Sequence, residues 1–387
     1  MTPVLGKRHN RYLKRVSAVL KVWDRLSLPG HRSLADYFWA RLVRRLEQED
    51  EPLFRIVKLP EPAQAVSGAE PEKDAWEDLK LRTYIASRCE NHVYYEACLE
   101  RYDPALKFLR QGADGHATFF GSGHGESTLN CYRKILSGTA GGPVMFEKVY
   151  STQFDDVFRI EWLESNFGEL LRSRGVLLPE ILSLNHGARA VAVYSRFMAA
   201  GRIPQKEAVS RAVAIIRVLM DVSSVPSIPE YQDYQSQHIY CQALASARAL
   251  VTRLRPEANA VLDRITGQVA ETPQRYLTHG DLHYKNMLGN GAVLDWDSCG
   301  FYPFGYDLGL ALSKSLPVSG GESLVAEIQR HFDLDALGNR AQLQMCSLFF
   351  CFLFYSRKSS LKLEDGVIID IFDHLVTVHQ RVANDHS

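Results

Sequence analysis

The chain has 387 residues, 46% hydrophobic and 23% charged, a length that outgrows one hydrophobic core and predicts two or three lobes. Lys plus Arg and Asp plus Glu each number 45, so net charge gives no reason to expect a nucleic-acid binder. Cysteines are scattered at 89, 98, 131, 241, 299, 346 and 351 without a CxxC pair, which argues against a disulfide framework or zinc module and predicts reduced thiols in a cytoplasmic protein.

Residues 1–110 read as a mostly helical extension. Tyr12, Val16, Val19, Leu20 and Trp23, then Leu34, Phe38, Leu42 and Leu46, recur at helical spacing, with Pro29-Gly30 breaking the two stretches. Residues 1–45 carry eleven Lys/Arg against two acids. That leaves two readings, a solvated or packed helical face and contact with an anionic surface such as a membrane or polyanion. Segment 59–72 is rich in Pro, Ala, Gly and Glu and predicts a linker; 74–110 returns to helical patterning, with Trp76, Leu79, Tyr84 and Ile85 as buried positions.

From 111 to 200 the texture is that of a small lobe: strands over 116–120, 129–136 and 144–150, a helix over 154–171, then strands over 180–184 and 190–197. Residues 201–387 are mainly helical, over 206–221, 232–255, 257–269, 307–316, 320–331, 337–355 and 367–382, with a loop-rich block at 276–298. The N-terminal stretch has no apolar signal core. The longest apolar run, 345–355, has eleven residues, whereas a membrane span needs about 20; it predicts a buried helix of a soluble protein.

Residues 279–288 read His-Gly-Asp-Leu-His-Tyr-Lys-Asn-Met-Leu, and Val293-Leu294-Asp295-Trp296-Asp297 follows. Asn286 stands five positions after Asp281, a spacing at which a tight loop can aim one side chain at an acceptor hydroxyl and the other at a metal. Asp295, nine residues further at the end of an apolar strand, adds a second hard ligand. Mg²⁺ prefers such oxygen donors and fills its other positions with waters and substrate phosphates. Phosphoryl transfer needs these parts: a carboxylate for the hydroxyl proton, oxygen ligands for the metal, and in-line positioning.

Both blocks resemble the catalytic loop of the aminoglycoside phosphotransferase and choline kinase-like family, whose pattern is His-Gly-Asp-x-x-x-x-Asn, then a strand and Ile/Leu-Asp-Trp/Phe/Leu. The resemblance implies an α+β, two-lobed protein kinase-like fold. Its β-rich, nucleotide-binding N-lobe would span 111–200 and its mostly helical C-lobe, with catalytic loop and acceptor site, 201–387. It implies Asp281 as catalytic base, Asn286 and Asp295 as Mg²⁺ ligands, His279 as a structural loop residue and Asp307 as the trailing Asp that braces the loop. His283 reads as a polar loop histidine and Cys299 as an inert thiol; Asp297 either assists a second metal or faces solvent.

Upstream, Gly121, Gly123 and Gly125 form a turn between strands where the backbone can approach phosphates closely. Lys148 lies within a strand, where an unpaired ammonium is costly to bury. Its kinase-like role is contact with the α/β-phosphates, fixed by Glu161 or Glu164, which share a helix face; the other reading is an edge-strand lysine facing water. Phe197 and Met198 fall where an inter-lobe hinge would bond the nucleotide base. The resemblance covers about 112–316, and nothing in the family pattern matches 1–110.

The activity implied is transfer of the γ-phosphoryl group of ATP, with GTP also open, to a hydroxyl of a small molecule or glycan. No Asp-Phe-Gly or Ala-Pro-Glu segment follows Asp295, which speaks against a protein acceptor. The rival readings are a catalytically idle nucleotide-binding scaffold and a sugar kinase docked on a membrane or polysaccharide through 1–45.

Overall fold

The computed structural model describes residues 70–88, 90–123, 125–137, 143–223, 231–357 and 363–385. The helices expected before residue 59, the basic segment 1–45 and most of the expected linker lie outside the described residues. In chain order come α1 (Glu70–Arg88), α2 (His92–Tyr102), β1 (Ala117–Ser122), β2 (Cys131–Leu136), β3 (Pro143–Ser151), α3 (Asp156–Ser173), β4 (Ile181–His186) and β5 (Ala190–Arg196). Then follow α4 (Ala208–Ser223), α5 (His238–Leu254), α6 (Asn259–Ala270), β6 (Arg275–Thr278), β7 (Gly300–Pro303), α7 (Tyr306–Ser315), α8 (Gly321–His331), α9 (Arg340–Ser356) and α10 (Asp365–Asp385). This is the expected α+β division. One compact unit comprises Met1–Val157 and Glu180–Ala199, the other Phe158–Pro179 and Ala200–Ser387.

The first unit is built on an antiparallel sheet of order β1-β2-β3-β5-β4. Along β2, Cys131, Arg133 and Ile135 are buried while Tyr132, Lys134 and Leu136 are half-exposed, the period-2 alternation of a sheet covered on one face. Helices α1 and α2 supply the cover: Trp76, Leu79, Tyr95 and Leu99 share a core with Cys131, Ile135, Ala190 and Ala192. The helical stretch expected over 74–110 divides at Glu90, whose φ is +50°, and restarts where the Asn91 side chain caps the Tyr94 N–H at 3.0 Å. It stops at Asp103, which precedes Pro104 and is extended, because proline disfavours helix in the residue before it. The Asp103 carboxylate then accepts the N–H groups of Arg189 (2.6 Å) and Ala190 (3.0 Å), tying α2 to the start of β5.

Arg133 is fully buried in that core. Arg133 donates to both oxygens of Glu147 at 2.6 Å, to Glu96 at 3.2 Å and to the Leu109 carbonyl. Arg133 and Glu147 are fully buried, and the Tyr194 hydroxyl adds a bond to Glu147 at 2.5 Å. Burying two charges costs several kcal/mol per ion unless both are paired and their remaining bonds made; here they are.

The second unit centres on α9, in which residues 345–355 are buried without a break, as expected of that apolar run. Helices α7, α10 and α5 pack around it, and β6 and β7 pair antiparallel beside them. Among the described residues no helix is long and apolar enough to cross a membrane.

Candidate active site

The loop after β6 is shaped by its backbone. Gly280 has φ +87°, and a Cβ there would stand 2.0 Å from the Ser298 carbonyl oxygen, so only glycine fits between His279 and Asp281. The loop closes when Asn286 Nδ2 donates to the Asp281 carbonyl at 3.0 Å, which leaves Oδ1 as the Asn286 acceptor. A tight hairpin follows, with a Met287–Val293 bridge and Gly291 at φ +92°. Its last bond, Leu294 N–H to the Asn286 carbonyl at 2.8 Å, sets Asp295 beside Asn286. The apolar strand expected before Asp295 is thus reduced to bridges, since the Gly289-Asn290-Gly291 turn leaves little chain on either side. Asp295 itself holds φ +61°, a left-handed conformation that costs a non-glycine residue about 1–3 kcal/mol and concentrates at functional sites.

Two nitrogen atoms lie on one side of the Asp281 carboxylate. His283 Nε2 and Asn286 Nδ2 each lie 3.4 Å from Oδ2, and His283 Nδ1 accepts the Lys285 N–H, so the His283 proton sits on Nε2, facing Asp281. The sequence pattern ranked His283 as an ordinary loop residue; its contact with Asp281 appears only in the fold.

His279 and Asp307 form the frame beneath. Burial lowers the His279 imidazole to about 4, leaving it neutral: Nδ1 accepts the Asp281 N–H at 3.1 Å and Nε2 donates to the Leu294 carbonyl at 2.8 Å. One ring thereby joins the Asp281 loop to the residue before Asp295. Trp296 packs on it at 4.4 Å and donates to the Val293 carbonyl. Asp307, in the first turn of α7, accepts the N–H groups of His279 (2.7 Å) and Gly280 (3.0 Å); burial raises its carboxyl to about 7. Cys299 is buried and donates its thiol to the Arg159 carbonyl at 3.5 Å.

Asn286 and Asp295 offer oxygen donors only. Among the described residues no group of three or more His, Cys, Asp or Glu is placed to hold a metal. A carboxylate plus an amide oxygen suits a hard dication that completes its shell with phosphates and water.

In the other unit, Lys148 lies on β3, the middle strand of the sheet, opposite Val193. It is half-buried with its ammonium 5.2 Å from the Tyr150 ring centroid, and the central place of β3 means it is not an edge-strand lysine. On α3, both oxygens of Glu164 accept from Arg172 at 2.7 Å, whereas Glu161 is half-buried. None of Gly121, Gly123 and Gly125 has a positive φ; a Cβ on Gly121 would strike the Tyr132 ring at 2.2 Å, so small size is what this turn uses. Helix α1 braces it: Lys80, 5% exposed, donates to the carbonyls of Gly125 (2.7 Å) and Glu126 (3.3 Å), and Trp76 Nε1 to Glu126 O at 2.8 Å. Trans peptides direct N–H opposite to C=O, so these bonds turn the Glu126 and Ser127 N–H groups away from α1. Neither Lys80 nor Trp76 stood out as a site residue, because their partners lie 45 to 50 positions away. The Phe197 N–H bonds the Val144 carbonyl at 3.0 Å, and Phe197 and Met198 close the first unit's last segment.

The sequence model described as "Phosphotransferase enzyme family" matches residues 163–345. No curated protein sequence matches the chain. Similar solved structures include aminoglycoside phosphotransferase APH(3'')-Id from Streptomyces rimosus, at 16% identity and TM-score 0.35, covering 69% of this chain and 94% of that one. Choline kinase LicA from Streptococcus pneumoniae gives 12% identity and TM-score 0.37, covering 68% and 92%. A putative fructosamine-3-kinase from Haemophilus somnus gives 12% and 0.36, covering 67% and 90%. At these scores the likeness says nothing about substrate.

Proposed function

We propose that this chain, whose residues 163–345 match the sequence model of the phosphotransferase enzyme family, phosphorylates a hydroxylated small molecule or glycan from ATP at Asp281. The observation that carries the reading is the bonded frame of the loop: Asn286 bound to the Asp281 carbonyl and Leu294 to the Asn286 carbonyl bring base and metal donors together. Asp281 Oδ2 faces the His283 and Asn286 donors, leaving Oδ1 for the acceptor proton. The acceptor oxygen then bonds to the γ-phosphorus as the bond to the β,γ-bridging oxygen breaks, and ADP leaves with that electron pair. Asn286 Oδ1 and Asp295 would hold Mg²⁺, which would supply positive charge to offset that of the phosphates.

Lys148 sets the α/β-phosphates over the sheet. The glycine turn lays its N–H groups on the phosphates, and the backbone at Phe197 and Met198 bonds the base, of ATP or GTP. A cytoplasmic setting goes with this, the six described cysteines being free thiols.

The test is a melting curve with ATP, with and without Mg²⁺, on wild type, Asp295→Ala and Asp281→Asn. Bound nucleotide raises Tm by mass action. Mg²⁺-dependent stabilisation is expected in wild type and Asp281→Asn and not in Asp295→Ala. Phosphoryl transfer in Asp281→Asn should fall about 10²–10⁴-fold, the usual worth of a positioned base. ATP with Mg²⁺ leaving wild-type Tm unchanged would falsify the reading, and stabilisation without any transfer leaves the idle scaffold standing.

A further inference from the structure

Cationic side chains from three elements gather at the loop that carries Asp281. Lys285 belongs to the loop itself, four residues after Asp281, and is exposed. Lys314 lies on α7, whose first turn is bonded to the loop through Asp307. Seven residues, nearly two full turns, separate Asp307 from Lys314, so the two share a helix face about 10 Å apart along the axis. Arg357 follows α9, and the Tyr355 hydroxyl donating to the Leu316 carbonyl at 2.7 Å joins the end of α9 to the end of α7. Lys314 and Arg357 are both half-buried.

Among the described residues, Lys285, Lys314 and Arg357 have no ion-pair partner within salt-bridge distance. They do feel one another. The Lys314 ammonium is lowered from its ordinary value, by burial first and next by Arg357, with Lys285 adding to the fall and Asp281 alone opposing it. Asp295 being assigned to the metal, Lys285, Lys314 and Arg357 face Asp281 with positive charge in excess, and the partial burial of Lys314 and Arg357 keeps water from screening it fully. Such a site repels a cationic acceptor and is completed by an anionic one.

We propose that the acceptor is a hydroxylated small molecule carrying a carboxylate or phosphate, whose anionic group is held by Lys285, Lys314 and Arg357 while its hydroxyl meets Asp281. This rests on the reading of Asp281 as the transfer base. Charge-assisted bonds to Lys and Arg fix the anionic end, and the reacting hydroxyl is aimed by that attachment.

The test uses the full chain with ADP and Mg²⁺ present and measures binding of D-glucuronate, D-glucose 6-phosphate, D-glucose and kanamycin by calorimetry. It is run on wild type, Lys314→Met and, as the exposed position least able to disturb folding, Lys285→Met. At least one anionic sugar should bind about tenfold or more tighter than glucose, the usual worth of a bond to a charged group, and each variant should erase most of that gap. Preference for glucuronate or for glucose 6-phosphate tells carboxylate from phosphate. Equal binding of all four, tighter binding of kanamycin, or variants that weaken ATP instead of the anion overturns the proposal while leaving the phosphotransferase reading intact. Loss of Mg²⁺-dependent ATP binding by wild type itself would sink both.

Discussion

In the first unit Arg133 and Glu147 meet as a fully buried ion pair, with Glu96, Tyr194 and the Leu109 carbonyl completing their bonds. At the loop of the second unit the buried carboxylate of Asp307 meets backbone N–H groups instead, those of His279 and Gly280. The first arrangement joins side chains from α2, β2, β3 and β5, so it ties separate elements into one core. The second holds a short stretch of main chain in one shape and so sets the direction of the neighbouring Asp281. A charge answered by a charge stabilises a core; a carboxyl answered by main-chain donors positions a loop.

The comparison breaks most visibly at Arg133. Arg133→Met leaves Glu147 buried and uncompensated and should cost about 3–5 kcal/mol, with the Arg133→Met/Glu147→Leu double variant recovering most of it. Denaturant melts of the four combinations measure this, and equal losses in single and double variants would show that the pair does not act as a unit.

Asp307 gives an effect of opposite sign to the ordinary carboxylate. Its pKa rises from 3.8 to about 7 because burial disfavours the charge. A group whose folded pKa is raised contributes stability that is complete below the unfolded value and is lost as pH rises through the folded one. Wild-type Tm should therefore decline between pH 4 and 7 relative to Asp307→Asn, whose amide does not titrate. Parallel profiles for the two proteins would mean that Asp307 stays ionised in the fold, its N–H bonds outweighing burial.

The smallest effect belongs to α1. Trp76→Phe keeps the ring against the core and removes only the bond to the Glu126 carbonyl, worth about 1 kcal/mol. Because that bond holds the glycine turn, the KM for ATP should rise while kcat for bound nucleotide stays near wild type. A stability loss with unchanged KM would reduce α1 to core packing.

How much was legible follows from chain distance. That Asp281, Asn286 and Asp295 come together could be read because the parts of the loop lie within fifteen residues and their spacing is itself the geometry. The strands and most helices were legible from hydrophobic period and fall within a few residues of expectation; the stretch expected over 74–110 is the exception, two helices ending at Tyr102. Lys80 could not be read: a lysine on an amphipathic helix looks solvated until the Gly125 and Glu126 carbonyls arrive from 45 residues away. The same holds for Arg133, which in β2 alternates with apolar neighbours as if it belonged to the wrong face. Glu161 and Glu164 share a helix face by spacing, and the bond from Arg172 to Glu164 appears only in the fold.

By itself the sequence determined the order of elements, the spacing within the Asp281 loop and the two-lobe plan, because propensity, period and turn chemistry act over a few residues. Tertiary structure alone decided which charges are answered: Glu147 by Arg133, the glycine turn by Lys80, and Lys285, Lys314 and Arg357 by no ion-pair partner within salt-bridge distance among the described residues. The physical reason is that a side chain's burial and its partners depend on contacts between distant segments, which exist only after the chain has folded.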